Sequence, residues 1–291
     1  MTPSSRSATP WLFLMPALLL LSLSVLIPAV LALLMSFTRS GLDVSEPLTW
    51  VGLSNLRRLL TDATFQRVLG TTVLYLVGVV PPIVASSLAL AILVNSRLPG
   101  IRLLRAAYYT PVLVSIVVAA IAFRWLYGEN GLLNGLLVTW LGTDPIGFLT
   151  DPRLALASVM VVTFWKGIGY YMVIFLAGLQ GIPTELYEAA TLDGCRGWRV
   201  HLHVTLPLLR PYVVLVAVIS AIAATKVFEE VFLMTQGGPA SSTRTLVYYV
   251  YDQAFRELDI SYACTVGLAL FLLVMVLTLL RFSVAQGSRF L

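Results

Sequence analysis

Residues 11–37 read WLFLMPALLLLSLSVLIPAVLALLMSF, an apolar stretch without a charged side chain. The apolar core of a signal peptide spans about 7–15 residues. This run is too long for that and reads as a retained first membrane span, one that can also start insertion. Working outward, further apolar runs occupy Leu69 to Val94, Leu104 to Leu126, Leu154 to Leu179, Leu208 to about Phe232, and Tyr262 to Leu280. A helix rises about 1.5 Å per residue, so crossing a hydrocarbon core of about 30 Å takes about 20 residues. Each run is near that length. A membrane strand needs only about 9–11 residues and alternates in polarity, and these runs are longer and do not alternate. The expectation is an all-α membrane protein with six transmembrane helices.

Composition agrees with this reading. Of 291 residues, 58% are hydrophobic and 11% are charged, where soluble domains carry about a quarter. A soluble enzyme is excluded. The formal net charge of +5 is dispersed between apolar runs, without the continuous basic patch that nucleic acid binding requires. Cys195 and Cys264 are too few for a disulfide framework and too far apart for a redox pair.

The loop charges orient the chain. With a cytoplasmic N-terminus, the inner side carries Arg6, Arg97, Arg102, Arg105, Arg196, Arg199, Arg210, Arg281 and Arg289 against Glu185, Glu188 and Asp193. The outer side carries Arg39, Arg57, Arg58, Arg67, Arg153, Arg244 and Arg256. Its acids are Asp43, Glu46, Asp62, Glu129, Asp144, Asp151, Asp252, Glu257 and Asp259. Basic residues concentrate on the cytoplasmic side of membrane proteins, and nine against seven places both termini there. Between the first two spans, Leu53, Leu56, Leu59 and Leu60 recur at helical spacing, and Ser54 or Asn55 is placed to cap the start. A short helix outside the membrane is expected.

Five charges fall inside or at the edge of spans, where an ionised group must snorkel, pair or face water. Arg124 is near a span end and reads as snorkelling. Lys166 lies mid-span, and Lys226, Glu229 and Glu230 are expected on one helix face at i,i+3 and i,i+4. A hydrated interior and plain local pairing both account for these four.

Between the fourth and fifth runs, residues 178–211 read GLQGIPTELYEAATLDGCRGWRVHLHVTLPLLRP. Pro183 and Thr184 read as a helix start with Thr184 as cap, Glu185 suits the first turn, and Gly194 permits a bend. A second piece from Cys195 to Val204 presents Trp198 and Leu202 on one face before Pro207 and Pro211. Two short helices across a bend result. Leu186, Ala190 and Trp198 then form an apolar surface flanked by Glu188, Asp193, Arg196 and Arg199, suited to lipid headgroups or, with small Ala189 and Ala190, to close protein docking. His201 and His203 point about 200° apart on a helix and lack a third ligand, so no metal site is expected.

The stretch Glu188, Ala189, Ala190, then Asp193 and Gly194, with Leu206 and Pro207 further on, resembles the coupling motif of membrane subunits of ATP-binding-cassette importers. Leu176 to Gln180 with Ile182 and Pro183 resembles the sugar-importer version. WVGLSN at 50–55, and TQGGP at 235–239 followed by Thr245, Leu246, Tyr251 and Phe255, resemble the maltose-type carbohydrate branch. Cys195 departs from the usual small residue after the glycine but is itself small.

The resemblance implies a type I importer permease fold: a single transmembrane domain over residues 1–291, with residues 181–207 as a cytoplasmic coupling loop between the fourth and fifth helices. It implies a prokaryotic inner-membrane subunit paired with a second, different permease, two ATPase subunits and an extracytoplasmic solute-binding protein. ATPase coupling falls on Glu188, Ala189, Ala190, Asp193, Gly194, Trp198 and Pro207. Glu188 would pair with an ATPase arginine, and Pro207 would set the return into the fifth span. The chain has no GxxxxGK[ST] phosphate loop, so ATP and magnesium belong to the partner, no cofactor is expected here, and the chain is not itself an enzyme. A sugar path needs aromatic platforms and polar partners at membrane depth. The candidates are Trp165, Lys166, Tyr170, Tyr171, Lys226, Glu229 and Glu230, with helix packing as the alternative role of the aromatics. The competing classes are an ion-driven secondary carrier or channel, with Lys166, Glu229 and Glu230 as coupling groups, and a purely structural assembly subunit. The cargo is left open among oligosaccharides, disaccharides such as trehalose, and phosphorylated glycerol compounds.

Overall fold

The computed structural model describes residues 9–39, 48–96 and 99–286. Arg6, Asp43, Glu46, Arg97 and Arg289, used above to orient the chain, lie outside them, and the Arg281 side chain is likewise not described. In chain order, the elements are α1 (Trp11–Met35), β1 (Thr38–Arg39), β2 (Thr49–Trp50), α2 (Ser54–Thr61), α3 (Ala63–Val94), α4 (Ile101–Leu113), α5 (Ile116–Leu126) and α6 (Leu132–Leu141). They continue as α7 (Ala155–Gln180), α8 (Thr184–Leu192), α9 (Trp198–Leu208), α10 (Arg210–Thr225), α11 (Glu229–Met234), α12 (Leu246–Tyr251) and α13 (Ile260–Gln286). The architecture is all-α and multispan. Helices α1, α3, α7 and the first 20 residues of α13 are each long and apolar enough to cross a membrane. The count reaches six if the bent pairs α4 with α5 and α9 with α10 are one span each.

Both breaks have local causes. Pro111 removes an amide near the end of α4, and Val114 and Ser115 are extended, so α5 leaves at 95°. Pro207 and Pro211 flank the 70° bend between α9 and α10. The third and fifth runs are therefore broken rather than continuous as expected, and the fifth ends at Thr225, before the acidic pair.

Packing divides the chain into two units. One holds the described residues up to Phe65 together with Tyr249–Ala269. In it, α1 buries none of its apolar stretch within the chain, and it widens into a π turn over Ser22–Leu26, where Pro28 has no amide to donate to Ser24. The antiparallel β1 and β2 pair Thr38 with Trp50. The expected short helix is α2, but neither Ser54 nor Asn55 caps it. Leu53 holds the cap position without a side-chain bond. Asn55 is buried and donates instead to the carbonyls of Ser36 (3.0 Å) and Thr38 (2.7 Å), fastening α2 to the end of α1.

The other unit spans Gln66–Tyr248 and the chain from Leu270. Its core is built on α3 (Tyr75, Val79, Ile83) and α7 (Val159, Val162, Met172, Phe175), with Val216 from α10 and Val231 from α11. Gly169 lets α7 approach α4 closely, because a Cβ there would sit 2.0 Å from the Tyr108 carbonyl oxygen.

Candidate functional site

The helix pair after α7 is built by its glycines. Helix α8 starts after Pro183, whose ψ of 136° is non-helical, with Glu185 in the first turn. Thr184 is the first helical residue rather than the cap, and no side chain caps the start. Gly194 adopts φ +81°, and the amides of Gly194 and Cys195 donate to the carbonyls of Thr191 (3.1 Å) and Ala190 (2.9 Å). That is a Schellman termination, which requires a left-handed residue and so favours glycine. Gly197, also at positive φ, then launches α9 at Trp198.

Thr205 ties the two helices together. It is fully buried, and its hydroxyl meets the Tyr187 hydroxyl (3.2 Å) from α8 and His201 Nδ1 (3.1 Å) from α9. His203 turns away and bonds the Arg199 carbonyl through Nδ1 (2.9 Å). Glu188, Ala189, Asp193, Gly194, Trp198 and Pro207 are exposed, while Ala190 is half-buried. Leu192 is 90% and Trp198 64% exposed, an apolar display that solvent alone does not stabilise. A cleft of about 440 Å³ lies at the root of the pair, lined in part by Asn95, Gln180, Thr184, Tyr187 and His201.

A second set of polar groups is spread along α7. The Tyr75 and Thr163 hydroxyls lie 2.6 Å apart, and Thr163 donates to Glu230 Oε1 at 3.0 Å. Tyr75 is fully buried and Glu230 nearly so. One turn along α7, Lys166 Nζ donates to the carbonyls of Val112 (3.1 Å) and Val114 (2.7 Å) at the α4–α5 break. Arg124 Nη1 donates to the Leu233 carbonyl (3.2 Å) in the last turn of α11, so this side chain does more than snorkel. Trp165 packs on Phe123 with ring centroids 5.2 Å apart. Tyr170 and Tyr171 meet edge to face, with Tyr170 exposed and Tyr171 buried.

Residues 101–289 match the family described as the binding-protein-dependent transport system inner membrane component. The chain belongs to this family. It is similar to the lactose transport system permease protein LacF of Rhizobium radiobacter, at 36% identity over 96% of this chain and 94% of that protein. It is also similar to the arabinooligosaccharides transport system permease protein AraP of Bacillus subtilis, at 33% identity over 98% and 91%. Among solved structures, a chain of a bacterial alginate ABC transporter in complex with an alginate pentasaccharide-bound periplasmic protein superposes with a TM-score of 0.82. At 21% identity, over 95% of this chain and 93% of that one, it shows the fold. The architecture is that of a type I importer permease.

As a member of this family, the chain is the inner-membrane component of a binding-protein-dependent transport system, and the ion-driven carrier reading falls away. Among the described residues, no three His, Cys, Asp or Glu side chains are placed to hold a metal ion. The expected ladder of Lys226, Glu229 and Glu230 on one helix face does not form. The helix stops at Thr225 and restarts at Glu229, leaving Lys226 and Glu229 exposed and Glu230 turned inward. Sequence reasoning missed Tyr75, Thr163 and Thr205. The available signal was the i,i+3 spacing of Thr163 and Lys166, which puts a hydroxyl beside the mid-span charge.

Proposed function

We propose that this chain is one of two different permease subunits of an ATP-driven sugar importer, forming half of the translocation path and drawing its drive from an ATPase subunit docked on α8 and α9. The carrying observation is a helix pair folded as a unit around buried Thr205, with Glu188, Ala189, Asp193, Gly194 and Trp198 presented on its surface. The sugar class is supported by the lactose and arabinooligosaccharide permeases it resembles. The rest of the assembly is a second permease, two ATPases that use ATP and magnesium, and an extracytoplasmic binding protein. The arginine distribution supports both termini on the cytoplasmic side. Residues 1–291 act as one permease domain, with 181–207 as its coupling loop.

In this reading, Glu188 pairs with an ATPase arginine, Ala189 and Ala190 allow close packing, and Asp193 and Gly194 hold the bend. Trp198 fills an apolar seat, and Pro207 directs the chain back to α10. ATP-driven closure of the ATPases carries the pair as a rigid body and opens the path toward the loaded binding protein; hydrolysis returns it. Of the path candidates, Tyr170, Lys226 and Glu229 are exposed and available to cargo, Trp165 and Lys166 are half-buried, and Tyr171 and Glu230 shape the wall from within.

The test is ATP hydrolysis stimulated by loaded binding protein in the reconstituted complex. Glu188→Ala and Gly194→Trp are each expected to cut stimulation at least about tenfold, the scale of an interface hot spot. Unchanged stimulation in both rejects the docking role.

A further inference from the structure

Helix α7 holds the broken span α4–α5 and the start of α11 with one stripe of side chains. Lys166 supplies its ammonium to the carbonyls of Val112 and Val114, which flank the 95° break and have no helical partner there. Thr163, one turn away, bonds Glu230 in the first turn of α11, the short helix that follows the interruption of the fifth run. With its proton committed to Glu230, Thr163 accepts from buried Tyr75, so the link is directional and anchored in α3. Between these residues and the docking pair, α7 is a single helix without proline, running to Gln180 and joined to Thr184 by three residues. Lys166 and Gln180 are 14 residues apart, about 21 Å of uninterrupted helix. Gly169 keeps α7 seated on α4, since any Cβ there overlaps the Tyr108 carbonyl.

We infer that Thr163 and Lys166 are the positioning residues through which a displacement of the docking helices reaches the α4–α5 break and α11, and that neither is a sugar ligand. The inference rests on the docking role of α8 and α9 proposed above. A rigid helix pinned at the α4–α5 break and at α11 moves them together, whereas a helix without the pins slides past them. A lysine held against backbone carbonyls is also a poor way to recognise a sugar, because two of its three protons are already committed.

The experiment uses the full complex in proteoliposomes and reads sugar taken up per ATP hydrolysed, with the half-saturating sugar concentration alongside. Thr163→Val and Lys166→Met are expected to lower the uptake-to-ATP ratio about tenfold, with half-saturation moving less than about twofold. Thr163→Ser and Lys166→Arg, which keep a donor, should recover at least half of the ratio. A normal ratio with a raised half-saturating concentration would mean that these side chains touch the sugar, and it overturns the inference. A normal ratio with unchanged half-saturation also overturns it. Should Lys166→Met fail to assemble, the Thr163→Val and Thr163→Ser pair decides by the same ratio. Failure of the docking reading shows separately, as unaltered stimulation in Glu188→Ala while these ratios are still measured.

Discussion

Helices α8 and α9, for which docking is proposed, and the polar cluster around Asp62 use the same kinds of residue to opposite ends. In the cluster, Asp62 accepts from the hydroxyls of Tyr249 (2.7 Å) and Tyr262 (2.6 Å) and from the Thr64 amide (2.8 Å) at the start of α3. Arg58 donates to Asp259 at 2.6 Å and lies over the Tyr262 ring at 3.8 Å, and Arg256 meets Asp252 at 3.2 Å. In the docking pair, none of Glu185, Glu188, Asp193, Arg196 and Arg199 lies within ion-pair distance of an opposite charge among the described residues. A cluster whose charges are consumed internally contributes to the fold. A surface that leaves five charges and a tryptophan to solvent fits the docking role proposed for it.

That contrast is broken most directly at Asp62. In Asp62→Ala, two tyrosine hydroxyls and a helix-start amide lose their acceptor, a loss of about 3 kcal/mol after allowance for solvent. The thermal midpoint of the complex should fall by about 6 °C, with ATPase stimulation per folded complex unchanged. A fall in stimulation with no loss of stability would reverse the assignment of the two regions. Removing the docking charges with Glu188→Ala should do the opposite, abolishing stimulation and leaving the midpoint within about 1 °C, as surface substitutions do.

A smaller effect follows from pH. Burial works against the Asp62 charge, yet hydrogen bonds from Tyr262, Tyr249 and the Thr64 amide outweigh it and hold the carboxyl below the usual carboxylate range. A carboxyl held low in the fold stabilises above its unfolded pKa, about 3.9, and that stabilisation disappears as pH falls through the folded value. The midpoint difference between wild type and Asp62→Asn should therefore be constant from about pH 7.5 to 5 and shrink below about pH 4. A difference that grows on acidification would place the folded pKa on the wrong side.

Hydrophobic run length made most of the fold legible, because a membrane span has to be apolar along its whole length. The helix pair α8 and α9 was legible too, since Pro183, Gly194 and Pro207 act on the backbone locally. The partners inside the membrane were not. Lys166 bonds carbonyls 52 and 54 residues earlier in the chain, and a backbone carbonyl carries no residue identity for a sequence to display. Lys226, Glu229 and Glu230 misled for the complementary reason. Their spacing suits a helix face, but three residues between Thr225 and Glu229 leave the helix, and no proline or glycine among them announces it.

The smallest effect separates the two regions most cleanly. Gly194 has φ +81°, and nothing lies within 4 Å of where a Cβ would be, so Gly194→Ala meets no steric obstacle and carries only the strain of a left-handed backbone. That strain is about 1 kcal/mol, and it falls on the Schellman bonds closing α8, whose donors are the amides of Gly194 and Cys195. Amide hydrogen exchange at Cys195 should speed up about fivefold, the factor corresponding to that energy in a local opening equilibrium. The docking helices share few contacts with the core, so the thermal midpoint should not move. A midpoint that falls as far as in Asp62→Ala would mean that the docking pair is as integral to the fold as the Asp62 cluster, and the distinction between a surface kept for a partner and a cluster spent on stability would be lost.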